Sequence, residues 1–127
     1  TFDVIITHHT LEHVDNPYEM LLLLKKRLKK NGLLIGVLPI DDWRNQKDYR
    51  MNDINNHLYT WTPLLIRNLL VRAGFTIKSV SLITSAWLPF SRYYYSYTPK
   101  PLYDLFAALW STLIRSRQVR FVVTKRS

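Results

Sequence analysis

The strongest constraint on the fold of this chain is a strand, helix and strand pattern in its first forty residues. Residues 2–7 (FDVIIT) and 33–39 (LLIGVLP) are short apolar runs, and residues 17–30 between them carry apolar side chains at helical spacing. Asn31-Gly32 is a typical helix stop. Because neither run alternates polar with apolar residues, both strands should belong to a parallel sheet that is covered on both faces. The pattern predicts a βαβ unit with a right-handed crossover.

A group of titratable side chains follows the first strand directly. Residues 8–13 (HHTLEH) contain three histidines and Glu12. In open parallel sheets, ligands bind beyond the carboxyl ends of the strands. We therefore expect these side chains to line a small-molecule site.

The rest of the chain continues the alternation of helices and strands. A helix is predicted from the N-cap pair Thr62-Pro63 to Ala73-Gly74. Three further elements are predicted: an edge strand over 75–83 with one irregularity, an amphipathic helix over 102–114, and a strand over 119–124. Together these patterns predict an α/β fold.

Composition excludes several classes of protein. The 127 residues contain no cysteine, which excludes disulfides, thiolate metal sites and a thiol nucleophile and fits a cytoplasmic location. No apolar stretch approaches the ~20 residues needed for a transmembrane segment. The net charge of +9 favours acidic partners, but its densest run, residues 25–30, ends a helix, where cations are ordinarily solvated and meet the helix dipole. Since the chain enters a buried strand at once, we expect its domain to be incomplete at the amino end.

Four sequence blocks, in this order, resemble the carboxyl half of a class I methyltransferase that uses S-adenosylmethionine. They are FDVII with LEHV (2–6 and 11–14), RLKKNGL (27–33), HLYTWTP through AGF (57–63 and 73–75) and FVVTK (121–125). The resemblance implies a Rossmann-like methyltransferase sheet with flanking helices, here strands 4 to 7 in the order 4-5-7-6 with the last strand antiparallel. Residues 1–127 would then be a single partial domain, with residues 84–117 as a variable aromatic and helical insertion. The family's glycine-rich cofactor loop has no counterpart here, so we expect this fragment to be inactive.

The same resemblance assigns roles to individual residues. Thr7, His8 and His9 would flank the methionine part of S-adenosylmethionine, and His13 or His57 would act as the base for a hydroxyl acceptor. The plainer alternative is that Glu12 and His13 cap the turn by bonding to the backbone. We expect the methyl acceptor to be a small molecule or a lipid-linked one.

Two alternative functions stay open. If residues 9–13 are helical, His9, Glu12 and His13 share one face and could bind a divalent ion. A similar cluster, with a histidine in the position of His57, occurs in the metal-dependent small-RNA 2′-O-methyltransferases, although His9 replaces a glutamate here. The favoured expectation is that the site binds no metal.

The second alternative is a non-catalytic module whose basic helix and tyrosines bind nucleic acid or anionic lipid. The aromatic segment from Trp87 to Tyr97 would suit a substrate lid, a homodimer face or a membrane-surface anchor.

Overall fold

Nine elements follow one another in the computed structural model, which describes residues 1–42, 48–49, 51–53, 55–84, 88–114 and 116–125. The strands are β1 (Phe2–His8), β2 (Leu28–Ile40), β3 (Phe75–Ile83) and β4 (Arg117–Lys125). The helices are α1 (Pro17–Arg27), α2 (Pro63–Arg72), α3 (Ser91–Tyr94) and α4 (Lys100–Leu113), with a 3₁₀ turn at Tyr95–Tyr97. The predicted α/β fold class is confirmed.

The four strands form one sheet in the order β1-β2-β4-β3. β1 and β2 are parallel, while β4 runs antiparallel to both β2 and β3. β1 and β2 are joined through α1, as the βαβ pattern predicts. This relative order, with an antiparallel last strand, is the one that the resemblance predicts; the numbering of these strands as 4 to 7 of a larger sheet stays a prediction. The predicted irregularity of β3 is a register shift between Ile77 and Ser79.

The end of α1 differs from the prediction. The helix ends at Arg27 rather than Lys30, because the C-cap Leu28 takes an extended backbone conformation and starts β2. Leu28 is fully buried and lies opposite Phe2, so its burial in the core competes with continuation of the helix. Asn31 adopts a positive φ of 63° within β2, a conformation that asparagine tolerates.

The hydrophobic core lies on one face of the sheet. β2 and β4 supply Leu34, Leu38, Val119, Phe121 and Val123, which are all fully buried. α1 and α2 cover this face with Leu21, Ile66 and Leu70. The Phe121 ring leaves no room for a side chain at residue 36, where the chain has glycine. A Cβ atom at this position would lie 2.2 Å from the ring.

The opposite face is covered less than the sequence predicts. Val4 and Ile6 are 46% and 72% exposed, and their β2 partners Leu33 and Ile35 are only partly buried. The expectation that both faces are covered is therefore wrong for the described residues. The physical reason is that α1 and α2 both pack on the core face.

Both ends of α2 follow their sequence signals. Thr62 caps the amino end by accepting a hydrogen bond from the Leu65 amide at 3.2 Å, and Pro63 is the first helical residue. At the carboxyl end Gly74 has a φ of 78°, and the Lys25 ammonium donates a hydrogen bond to the Ala73 carbonyl at 3.1 Å. This contact joins α1 to the end of α2.

We expect Gly74→Ala to lower the free energy of unfolding by about 1–2 kcal/mol, because a left-handed backbone strains alanine and most other residues with a Cβ atom. The new Cβ atom would also lie 2.4 Å from the Lys25 ammonium, a flexible group that can move aside. Urea unfolding measures the loss. Gly74→Asn is the control, since it adds the same Cβ atom but tolerates the conformation; equal losses in both variants would contradict the backbone explanation.

The aromatic and helical segment before β4 leaves much of its apolar surface exposed. α4 begins two residues earlier than predicted, and its apolar side chains are largely uncovered. With Leu88 and Tyr94, the α4 residues Leu102, Phe106 and Leu109 line an open groove of about 600 Å³. Trp87, the first residue of the predicted lid segment, lies outside the described residues. No helix in the described ranges is both long and apolar enough to cross a bilayer.

Candidate functional site

The candidate site lies beyond the carboxyl ends of the parallel strands β1 and β2, where the sequence predicts it. Three hydrogen bonds donated by backbone amides assemble it. The His9 amide donates to the Val37 carbonyl at 3.0 Å, and the Leu58 amide donates to the Glu12 carbonyl at 2.8 Å. The Asp41 amide donates to the Thr60 hydroxyl at 2.9 Å. These bonds bring the turn after β1, the end of β2 and the loop before α2 together.

Residues 9–13 form a turn rather than a helix. His9 has a positive φ of 49°, which ends β1 sharply, and the His13 amide donates to the Thr10 carbonyl at 3.2 Å. The helical condition attached to the predicted metal cluster is therefore not met. The turn nevertheless buries Glu12 completely and leaves His13 exposed.

Glu12 differs from the other residues of the site because its carboxylate is buried without a hydrogen-bond partner among the described residues. Its side chain is 0% exposed, and among the described residues neither carboxylate oxygen has a hydrogen-bond partner. The His9 Nδ1 atom lies 3.6 Å from Glu12 Oε1, beyond hydrogen-bonding distance. Glu12 thus holds the loop before α2 through its backbone carbonyl, and no capping bond from its carboxylate is observed in this part of the chain.

His57 and His13 meet over the turn although 44 positions separate them in the sequence. Their ring centroids are 5.0 Å apart in an edge-to-face arrangement. The His57 Nδ1 atom lies 2.8 Å from Asp41 Oδ2, in a mostly buried contact. An ionised carboxylate can only accept a hydrogen bond, so this contact assigns the proton to Nδ1 and leaves Nε2 as the free ring nitrogen.

Asp41 is a site residue that the sequence patterns above did not single out. A signal was present, because Asp41 directly follows Ile40, the last residue of β2, just as the histidines follow β1. Carboxyl ends of adjacent parallel strands lie at the same edge of a sheet. Applying that rule to β2 as well as β1 would have found this residue.

The three residues predicted to contact the cofactor lie together at the end of β1. The rings of His8 and His9 are stacked with centroids 4.4 Å apart. Within the described structure, Thr7 Oγ1 and His9 Nε2 are buried without a hydrogen-bond partner. Burial, and next the neighbouring His8, lower the pKa of His9, so that its ring is neutral near pH 7. The hydrogen-bonding capacity of these two atoms is therefore unused within the described residues.

A parallel strand pair extended by an antiparallel last strand is the arrangement that the resemblance to Rossmann-like methyltransferases predicts. Residues 1–80 match the family described as Methyltransferase domain. The chain therefore belongs to this family of class I methyltransferases, as its sequence blocks predict.

Solved structures with the same fold include methyltransferases and one enzyme of another kind. The chain is similar to a Bacillus halodurans protein described as a candidate methyltransferase, with a TM-score of 0.63, 13% identity and coverage of 99% of this chain and 65% of the other. It is also similar to phosphoethanolamine N-methyltransferase 2 of Haemonchus contortus, solved with S-adenosylhomocysteine, with a TM-score of 0.61, 12% identity and coverage of 99% and 34%. The [4+2]-cyclase SpnF matches with a TM-score of 0.58, 14% identity and coverage of 98% and 51%.

The chain spans less than two thirds of each of these structures. No curated protein matches it in sequence. At these identities the structural likeness establishes the fold alone, and SpnF illustrates that one fold carries more than one reaction.

Proposed function

We propose that the protein containing this chain transfers a methyl group from S-adenosylmethionine to a hydroxyl group of a small or lipid-linked acceptor. The observation that carries this proposal is the hydrogen-bonded Asp41 and His57 pair at the edge of the sheet where ligands of this fold bind. Family membership supports the methyl transfer. The Nε2 atom of His57, which the bond to Asp41 leaves free, supports an acceptor that must lose a proton.

Thr7, His8 and His9 are the proposed contacts to the cofactor. Their support is the position at the end of β1 and the unpartnered polar atoms of Thr7 and His9. Similar structures that contain S-adenosylhomocysteine or S-adenosylmethionine support this choice of cofactor. A neutral His9 adds no repulsion to the cationic sulfonium.

His57 is the proposed base, and Asp41 is the residue that positions it. S-adenosylmethionine, when bound, would supply the methyl group to the acceptor oxygen and leave as S-adenosylhomocysteine. His57 Nε2 would take the proton that the acceptor loses. Asp41 stabilises the imidazolium that results, because its carboxylate lies 2.8 Å from Nδ1. His13, exposed beside His57, is the second candidate for the base.

The non-catalytic alternative, a basic module for nucleic acid or anionic lipid, is less well supported. Two cations of the run at the end of α1 are engaged within the protein. Lys25 bonds to the Ala73 carbonyl, and Lys29 pairs with Asp3 at 2.8 Å. The open apolar groove along α4 suits the lipid part of an acceptor better than a polyanion. A homodimer and a cytoplasmic location stay predictions of the sequence.

Isothermal titration with S-adenosylmethionine tests this proposal. We expect a chain extended upstream to bind the cofactor and the 127-residue chain to lack binding, because the latter has no glycine-rich loop. Thr7→Val, which keeps the shape of the side chain and removes its hydroxyl, should weaken binding by the extended chain. Absence of binding by the extended chain would contradict the proposal.

A further inference from the structure

Methyl transfer does not explain the Glu12 carboxylate. It is fully buried, and neither oxygen has a hydrogen-bond partner in the described chain. A buried polar group without partners destabilises the folded state, and an unpaired charge does so more strongly. Native proteins rarely keep such a group unless a ligand, an ion or an ordered water reaches it.

We infer that Glu12, His13 and His57 form a binding site for a divalent transition metal ion. Each residue offers one ligand atom, and these atoms all lie within 4.8 Å of one another. Two imidazoles and one carboxylate are a known three-ligand set for zinc that leaves a coordination position open. The two nitrogen ligands favour zinc or a similar transition metal over magnesium and calcium, which prefer oxygen ligands.

Asp41 already holds one of the three ligand side chains in place. A metal-binding histidine typically donates its other ring N–H to a carboxylate, which fixes the tautomer and the orientation of the ring. The bond between His57 Nδ1 and Asp41 Oδ2 has this form and leaves Nε2 free. His57 is itself held next to Glu12, because the following amide, that of Leu58, donates to the Glu12 carbonyl.

A metal ion can reach the site from solvent, and the ligand side chains can move closer to it. His13 is exposed, so an ion can enter from its side, whereas Glu12 closes the buried side of the site. Tetrahedral zinc ligands at about 2.0–2.1 Å from the metal lie ~3.4 Å from one another, so the ligand atoms must approach by about an ångström. The exposed His13 side chain, on an irregular turn, can supply much of that movement. His9 contributes no atom to the set of three.

This inference rests on the same residues as the proposed base but does not require methyl transfer. A bound cation would occupy His57 Nε2, so the acceptor would then lose its proton because the cation lowers the pKa of a coordinated hydroxyl. A direct reading of bound metal therefore separates the two proposals. Methyl transfer by a protein that binds no metal would contradict only this inference.

The test is titration of the metal-free purified protein with Co²⁺, followed by visible absorption, together with metal analysis of the protein as isolated. We expect one equivalent of Co²⁺ to bind with the bands of a low-coordinate nitrogen and oxygen site. Asp41→Asn should weaken binding by about 10- to 100-fold, because it removes the carboxylate that orients the His57 ring. His13→Ala and Glu12→Gln, which remove direct ligands, should weaken it at least as much.

Glu19→Gln is the matched control for Glu12→Gln, because Glu19 is an exposed glutamate in the first turn of α1. It should bind Co²⁺ like the unmodified protein. If Glu12→Gln does not fold, the exposed His13→Ala variant still decides the question. Absence of the absorption bands, or unchanged affinity in His13→Ala, would overturn the inference, as would an equal loss in Glu19→Gln.

Discussion

His57→Gln is expected to lower kcat for methyl transfer by about 10²- to 10⁴-fold, the usual loss when a positioned base is removed. Glutamine cannot take the acceptor proton, while its amide can still occupy the space beside Asp41. The affinity for S-adenosylmethionine should stay unchanged, because the proposed cofactor contacts lie at the end of β1. Single-turnover rates at saturating cofactor, with a separate binding titration, measure both quantities.

Tyr59→Phe provides the control for a displaced loop. Its hydroxyl donates to the Asp15 carbonyl at 2.8 Å and helps to fix the segment that carries His57. Tyr59→Phe should therefore keep most of the activity. If it loses as much as His57→Gln, the loss reports on the position of the loop rather than on proton transfer. An unchanged kcat in His57→Gln would rule out His57 as the base and leave His13 as the candidate.

Phe121→Ala is expected to lower the free energy of unfolding by about 3–5 kcal/mol, the range for removing a fully buried phenylalanine. Its ring lies against the backbone at Gly36 and links β2 to β4 in the centre of the core. Phe2→Ala is the matched control, since Phe2 is 58% exposed on β1 and should change stability by no more than about 0.5 kcal/mol. Chemical denaturation of all three proteins measures the differences.

Gly36→Ala probes the same contact from the other side. A Cβ atom at residue 36 would overlap the Phe121 ring, so we expect a loss of about 1–3 kcal/mol from overpacking. If Gly36→Ala is as stable as the unmodified protein, the ring does not occupy this position in solution.

The sequence predicts those features that depend on local chemistry. The N-cap Thr62 and the positive φ of Gly74 fix the ends of α2 because each follows from its own residue type. The end of α1 is different, since the burial of Leu28 against β1 overrides a helical pattern that continues to Lys30. Long-range packing decides such boundaries, and no local signal records it.

The residues of the site also divide into those that local sequence predicts and those that long-range contacts position. The position of the histidines after β1 follows from the strand pattern, and the resemblance to methyltransferases adds His57. Asp41 and the burial of Glu12 depend on two hydrogen bonds across the chain, from the Asp41 amide to Thr60 and from the Leu58 amide to Glu12. The sequence does not encode these pairings locally, so the relation of Glu12 to His57 emerges only in the folded chain.

The two outer strands of the sheet differ in how they resist pairing with other molecules. β3 carries a register shift at Ile77 and an exposed Lys78, two features that discourage a further strand from joining. β1 pairs on one side only within the described residues, and it presents Val4 and Ile6 beside its unpaired backbone groups. A polypeptide of these residues alone should thus aggregate through β1 at high concentration, and a strand added along β1 would make it soluble.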